Sequence, residues 1–123
     1  MSTTDFTLKT LQDTLDKQEG IVLLDFWADW CAPCRAFSPI YEKVASDHDD
    51  VTFGKVDTEA ERQLAAGFEI QSIPTLMAFR DGILLFRQPG MLPEKSLREL
   101  VEKVKGLDMD EVRAQIAAEE AKS

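Results

Sequence analysis

The sequence predicts an α/β fold in which a central mixed β-sheet carries helices on both faces. Three observations predict it. Ile21 to Trp27 is an apolar run broken only by Asp25, as expected of a central strand buried on both faces. A helical stretch and a second strand, Val51 to Val56, follow it and complete a βαβ unit, whose strands should be parallel with a right-handed crossover. Further on, Thr75 to Arg80 and Ile83 to Gln88 read as two strands joined by Asp81-Gly82, a strong hairpin signal.

The remaining elements follow in order. Residues 1 to 6 are polar and give little support for a strand. Leu8, Leu11 and Leu15 recur at helical spacing, so residues 7 to 18 read as an amphipathic helix capped by Thr7 and ended by Gly20. The helix of the βαβ unit should run from about Cys31 to Ala45. Pro33 falls in its first turn, where a missing N–H costs little; Pro39 lies inside and is expected to kink it. Thr58 with Glu61 resembles a capping box, opening a short helix to about Ala66 that Gly67 stops. Leu97, Leu100, Val101 and Val104 form the apolar face of a last core helix.

Gly106 stops that helix, and a further one follows. Asp108 reads as its N-cap, Glu111 stands three residues on, and Leu107 is placed to staple onto Val112. Met109, Val112 and Ile116 give it one narrow apolar stripe. Such a helix either docks on the domain, stays half-ordered in solvent, or serves to dock a partner. The expected organisation is one domain, residues 1–106, with a helical extension over residues 107–123.

Composition narrows the function classes. A chain of 123 residues, 44% hydrophobic, is sized for one domain with a real core. A formal charge of −9 disfavours a nucleic-acid partner and gives weak repulsion from anionic membranes. No apolar run approaches the length of a spanning helix. Met1 to Asp5 lack the basic region and apolar stretch of a signal peptide. The expected setting is a reducing compartment unless a leader has been removed, and in such a compartment a cysteine pair is catalytic rather than structural.

The two cysteines of the chain, Cys31 and Cys34, stand three positions apart in Trp30-Cys31-Ala32-Pro33-Cys34. Two thiols at that spacing face each other across the first turn of a helix. The unpaired N–H groups and positive dipole end there stabilise a thiolate, the attacking species in thiol–disulfide exchange. The pair therefore reads as a redox centre. Two other readings carry less weight. A structural zinc site needs about four Cys or His ligands. With two Cys and one His, the acid-flanked His48, a metal would have to be shared between two molecules. An inert bridge would close a very small loop and stabilise little.

Two further residues suit this chemistry. Asp25, alone inside the apolar strand, is expected to be buried, where desolvation raises its pKa and lets it exchange a proton near neutral pH. Lys55, late in the neighbouring strand, is placed either to reach toward Asp25 or to sit at the surface. Proline after Ile73 is usually a plain strand start, and spacing alone cannot support a cis bond.

The stretch Asp25-Phe26-Trp27-Ala28-Asp29-Trp30-Cys31-Ala32-Pro33-Cys34-Arg35, taken with Ile73-Pro74-Thr75, Asp81-Gly82 and Pro89-Gly90, resembles the thioredoxin family over about residues 7 to 105. The resemblance implies a thioredoxin fold and a protein-disulfide reductase in which Cys31 attacks the substrate disulfide and Cys34 is the buried resolving thiol. It implies that Asp25 handles the Cys34 proton with Lys55 as its charge partner, and that Arg35 helps hold the thiolate. Pro74 matches a cis-proline facing the disulfide, which also hinders metal capture. Trp30, Ala32, Pro33, Ile73, Pro74, Thr75 and Gly90 match the substrate-binding surface, where an extended segment would pair with backbone near Ile73.

The resemblance also implies a cytoplasmic carrier with no metal and no cofactor of its own, and nothing in the sequence demands more than a monomer. NADPH would be used indirectly, through a thioredoxin reductase, and the substrates would be disulfide-containing proteins such as ribonucleotide reductase, peroxiredoxins and methionine sulfoxide reductases. An oxidase or isomerase on the same fold and a non-redox binding module are the rival functions. Three departures stand out: Ala32 where the family usually has Gly, Pro89 before Gly90, and the tail beyond about residue 106.

Overall fold

The computed structural model describes residues 2–122. In chain order its elements are β1 (Thr3–Asp5), α1 (Leu8–Asp16), β2 (Ile21–Trp27), α2 (Ala32–Ser46) and β3 (Val51–Asp57), then α3 (Arg62–Gly67), β4 (Thr75–Arg80), β5 (Ile83–Pro89), α4 (Glu94–Lys105) and α5 (Met109–Lys122). The strands form a single mixed sheet in the order β1-β3-β2-β4-β5. β3 is parallel to both β1 and β2, whereas β4 runs antiparallel to β2 and β5 antiparallel to β4.

Strand alternation divides the core in two. Ile21, Leu23 and Phe53 pack under Phe37, Tyr41 and Val44 of α2 and Leu97, Val101 and Val104 of α4. On the opposite face Val22, Leu24, Phe26 and Met77 meet Leu11 of α1 and Leu64 of α3. Helices therefore cover both faces, as the sequence predicts. The hairpin is also as expected: Asp81 at φ 54° and Gly82 at φ 81° supply the left-handed pair that a two-residue turn of this kind requires. Thr7 caps α1 through reciprocal bonds with Thr10.

Four local differences have physical causes. A short β1 does form, because an edge strand needs backbone partners more than apolar side chains. Thr3, Thr4 and Asp5 pair with Phe53, Gly54 and Lys55, and Phe6 behind them is buried. Helix α1 ends at Asp16, before Gly20, with Gln18 taking the left-handed conformation at φ 53°. Thr58 opens no capping box: its hydroxyl donates to the Trp27 carbonyl at 3.0 Å. Helix α3 begins four residues later, and the Glu61 carboxylate instead accepts from Leu8 N–H at 3.0 Å, satisfying an orphan donor of α1.

The fourth concerns α5. Asp108 does cap it, accepting from the Asp110 and Glu111 N–H groups. Met109 is buried and Arg113 reaches Asp81 at 3.5 Å, whereas Leu107 and Ile116 remain exposed. The helix is thus docked at its first turns and surface-exposed beyond Val112. No helix among the described residues is long and apolar enough to cross a membrane.

Candidate redox site

Strand β2 runs directly into the cysteines. Cys31 is the N-cap of α2, and its Sγ accepts the Cys34 N–H at 3.2 Å, so the sulfur takes a donor the helix leaves unpaired. Pro33 lies in the first turn and has no N–H to leave unpaired. Cys31 and Cys34 are joined in a disulfide with Cα atoms 5.2 Å apart. Cys31 Sγ also lies 3.6 Å from the Ile73 carbonyl oxygen. Both cysteines are almost fully buried, at 4% and 3% exposure, so exposure does not separate an attacking from a resolving thiol here. Their surroundings differ: Cys31 faces the Ile73 backbone, whereas Cys34 lines a cleft.

That cleft, of about 180 Å³, is bounded by Trp27, Asp29, Cys34, Arg35, Ser38 and Lys55, with Ala28 at its side. Asp25 lies on the sheet face that α2 covers, since it alternates in step with Ile21 and Leu23. It is 1% exposed, and neither carboxylate oxygen has a hydrogen-bond partner among the described residues. Burial pushes its pKa up from 3.8 to about 7, and the Lys55 charge offsets part of that rise. Lys55 is its register partner across the parallel β2–β3 pair. The Lys55 ammonium sits 5.0 Å from the Trp27 ring centroid and donates to Ser38 Oγ at 3.1 Å. Lys55 is therefore half-buried in the cleft, its ammonium on Ser38 and the Trp27 ring, and it makes no ion pair with Asp25 among the described residues. Burial, and secondarily the Asp25 and Glu42 charges, push the Tyr41 phenol far up, and its hydroxyl donates to the Gly54 carbonyl at 2.8 Å. Arg35 is exposed and donates to the Asp29 carbonyl at 2.6 Å.

The outer rim comes from three further segments. Trp30 is 67% exposed, with its indole N–H donating to Glu59 at 2.8 Å. Ala32 and Pro33 are exposed beside it. The Ile73–Pro74 bond is cis, and the Gly90 N–H donates to the Pro74 carbonyl at 2.7 Å, which brings the end of the hairpin against the loop facing Cys31. Ile73 is half-buried and Gly90 exposed. Thr75 departs from expectation. It is 3% exposed and its hydroxyl donates to the Ser72 carbonyl at 2.6 Å, so its side chain belongs to the interior rather than to an outer surface. Pro74 is likewise buried. Sequence reasoning missed Glu59, Met91 and Ser38. Met91, next after Gly90, is 40% exposed; an apolar side chain following the Pro89-Gly90 pair was the available signal. Among the described residues, no group of three or more His, Cys, Asp or Glu side chains is placed to hold a metal.

A cysteine pair capping a helix after a central strand, opposite a cis-proline at the head of an antiparallel strand, defines a class of protein: a thiol–disulfide oxidoreductase. The comparisons agree. A family model described as Thioredoxin matches residues 2–103. "Putative thioredoxin 2" of Streptomyces coelicolor is 48% identical over 122 residues, spanning 99% of this chain and 90% of that protein. A thioredoxin of Mycoplasmoides gallisepticum is 40% identical over 95 residues, 77% of this chain and 95% of its own. Among solved structures, a mutant thioredoxin from Halobacterium salinarum superposes with a TM-score of 0.76 at 30% identity, covering 85% of this chain and 92% of the other. The chain belongs to the thioredoxin family, and its redox-active pair makes it a protein-disulfide reductase.

Proposed function

We propose that Cys31 and Cys34 act in sequence on protein disulfides, with Asp25 as proton acceptor and Lys55 as its charge partner. The Cys31 thiolate attacks one sulfur of the substrate disulfide. A new S–S bond forms, the substrate S–S bond breaks, and one substrate thiolate leaves and takes a proton. Cys34 then gives its proton to Asp25 and attacks Cys31 Sγ. The mixed disulfide breaks, the second substrate sulfur leaves as a thiolate and takes the proton from Asp25, and the Cys31–Cys34 disulfide remains. Two electrons and two protons have passed to the substrate.

The observation that carries this reading is the pairing of sulfur and acid. The disulfide caps α2, where unpaired N–H groups favour a thiolate. Asp25, held near neutrality by burial, lies on the sheet face beneath that helix, and its partner Lys55 shares the cleft of Cys34. An Asp poised near pH 7 suits proton exchange at working pH. The rim of Trp30, Ala32, Pro33, Ile73 and Gly90 would receive an extended substrate segment, with Pro74 and Thr75 contributing backbone. Arg35 would add positive charge near the cleft.

In this reading residues 1–106 form the redox domain and residues 107–123 an appendage. A thioredoxin reductase drawing on NADPH returns the disulfide to the dithiol, in the cytoplasm, and the carrier works as a monomer without metal or cofactor. The test is insulin-disulfide reduction with NADPH and thioredoxin reductase, comparing wild type with Cys31→Ser. Rapid turnover abolished by the substitution supports the reading. Turnover that survives Cys31→Ser, or a folded dithiol protein that fails even with dithiothreitol as donor, overturns it.

A further inference from the structure

Ser38 lies four residues after Cys34 on α2, so the two side chains share one face of that helix. Both line the cleft at the ends of β2 and β3. Lys55 reaches the same cleft from the sheet. Its four-carbon stem is half-buried, and an ammonium on such a stem ordinarily turns toward water. Two contacts hold it inward instead: the Trp27 ring, 5.0 Å away, and the Ser38 hydroxyl, which accepts its hydrogen bond at 3.1 Å. The Asp25 carboxylate accepts no hydrogen bond of its own among the described residues. Lys55 therefore acts on Asp25 through space, and a through-space interaction depends on where the ammonium is held.

We propose that Ser38 is a positioning residue of the redox site, anchoring the Lys55 ammonium beside Asp25 and so setting how readily Asp25 releases its proton. The inference rests on Asp25 and Lys55 working as acid/base and charge partner, as set out above. The sign follows from charge alone. A nearby ammonium favours the carboxylate, so loosening it makes Asp25 hold its proton to higher pH. The other titratable and charged groups around Asp25 do not depend on Ser38. From α2 come Cys34, Tyr41 (its hydroxyl committed to the Gly54 carbonyl) and Arg35, which is tied to the Asp29 carbonyl. Asp29 comes from the loop before α2, and β4 presents Leu76, which carries no charge, as the register partner of Asp25.

The experiment is an NMR titration of the Asp25 side-chain carboxyl in the oxidised protein. Wild type is compared with Ser38→Ala, Ser38→Thr, Lys55→Met and the Ser38→Ala/Lys55→Met double variant. Lys55→Met should move the midpoint alkaline by about one pH unit, the low end for loss of a close opposite charge. Ser38→Ala should move it the same way by about half as much, Ser38→Thr should restore it, and Ser38→Ala should add nothing once Lys55 is gone. A wild-type midpoint in Ser38→Ala, with the Lys55→Met shift intact, overturns the role of Ser38 alone. A Ser38→Ala shift that persists in the Lys55→Met background overturns it too, since the serine would then act without the lysine. An unshifted midpoint in Lys55→Met overturns the charge partnership itself.

Discussion

Replacing Asp25 by Asn removes one charge from the interior while keeping the shape of the side chain. The carboxyl titrates at about 7 in the folded protein against an ordinary value of 3.8, a rise caused first by burial and moderated by Lys55. Because the folded state holds its proton to higher pH than the unfolded state, Asp25 costs stability as pH rises. Nothing is lost below the unfolded value. The penalty grows between pH 3.8 and about 7 and is complete above that window. A difference of one pH unit between the folded and unfolded midpoints is worth about 1.4 kcal/mol, so the full penalty is about 4 kcal/mol, with about 2 kcal/mol already present at pH 5. Urea denaturation of the oxidised protein, in which no thiol titrates, gives the comparison by linear extrapolation. Asp25→Asn should be the more stable protein at pH 8, and its advantage should exceed that at pH 5 by about 2.5 kcal/mol. The difference between the two pH values cancels any constant effect of the amide. An advantage that is the same at both pH values, or larger at pH 5, would refute the reasoning, because the carboxyl would then not be held protonated by burial.

Gly54 sits mid-strand in β3 with the Phe6 ring against its backbone. A Cβ there would overlap Phe6 Cε2 and stand 2.9 Å from Leu24 Cδ2. Gly54→Ala should cost about 1–3 kcal/mol by overpacking, read as a lowered denaturation midpoint; an unchanged midpoint would show that the Phe6 ring yields freely. Arg80 Nη1 donates to the carbonyls of Val104, Lys105 and Leu107 at 2.9, 3.2 and 2.8 Å, pinning the end of α4 and the turn after it beside the negative end of the helix. Arg80→Ala should lose about 1–3 kcal/mol in the same assay, and a neutral result would mean water replaces the guanidinium at no cost. Ending the chain after Gly106 exposes the pocket of Met109 and removes the Leu107 carbonyl, so the thermal midpoint should fall. Insulin turnover should stay unchanged, and a loss of turnover in a folded truncated protein would place α5 within the working domain.

The central strand and the cysteine cap were legible because their signals are local. An apolar run carrying one Asp, followed by paired cysteines and a first-turn proline, needs no tertiary information, and β2 occupies the span read from it. Strand β1 escaped because its stabilisation lies in a backbone ladder to β3, to which its side chains contribute little. Thr58 misleads because the same residue spacing suits a capping box and a loop hydroxyl bound to a distant carbonyl. Only the position of Trp27 chooses between them. Reading Thr75 together with its neighbours puts it at the surface, yet β4 is covered on both faces from its first residue, so the side chain is buried. The Ser38–Lys55 bond was illegible for another reason: a serine in a helix has no sequence mark that distinguishes a solvent hydroxyl from an anchor.

What brings the separate pieces to one place is the mixed direction of the sheet. The parallel pair ends with Trp27 beside Asp57, so β2 and β3 deliver Asp25 and Lys55 toward the same edge. Because β4 is antiparallel to β2, its first residue, Thr75, lies beside Phe26, and the Ile73–Pro74 bond arrives where β2 gives way to the cysteines. Strand β5 reverses again, setting Pro89 against Thr75 and carrying Gly90 to the Pro74 carbonyl. An all-parallel arrangement would have put the start of β4 at the far end of the sheet from Cys31. The hairpin signal at Asp81-Gly82 therefore bears on the chemistry as well as on the fold: it fixes the second reversal and places the Gly90 rim beside the disulfide.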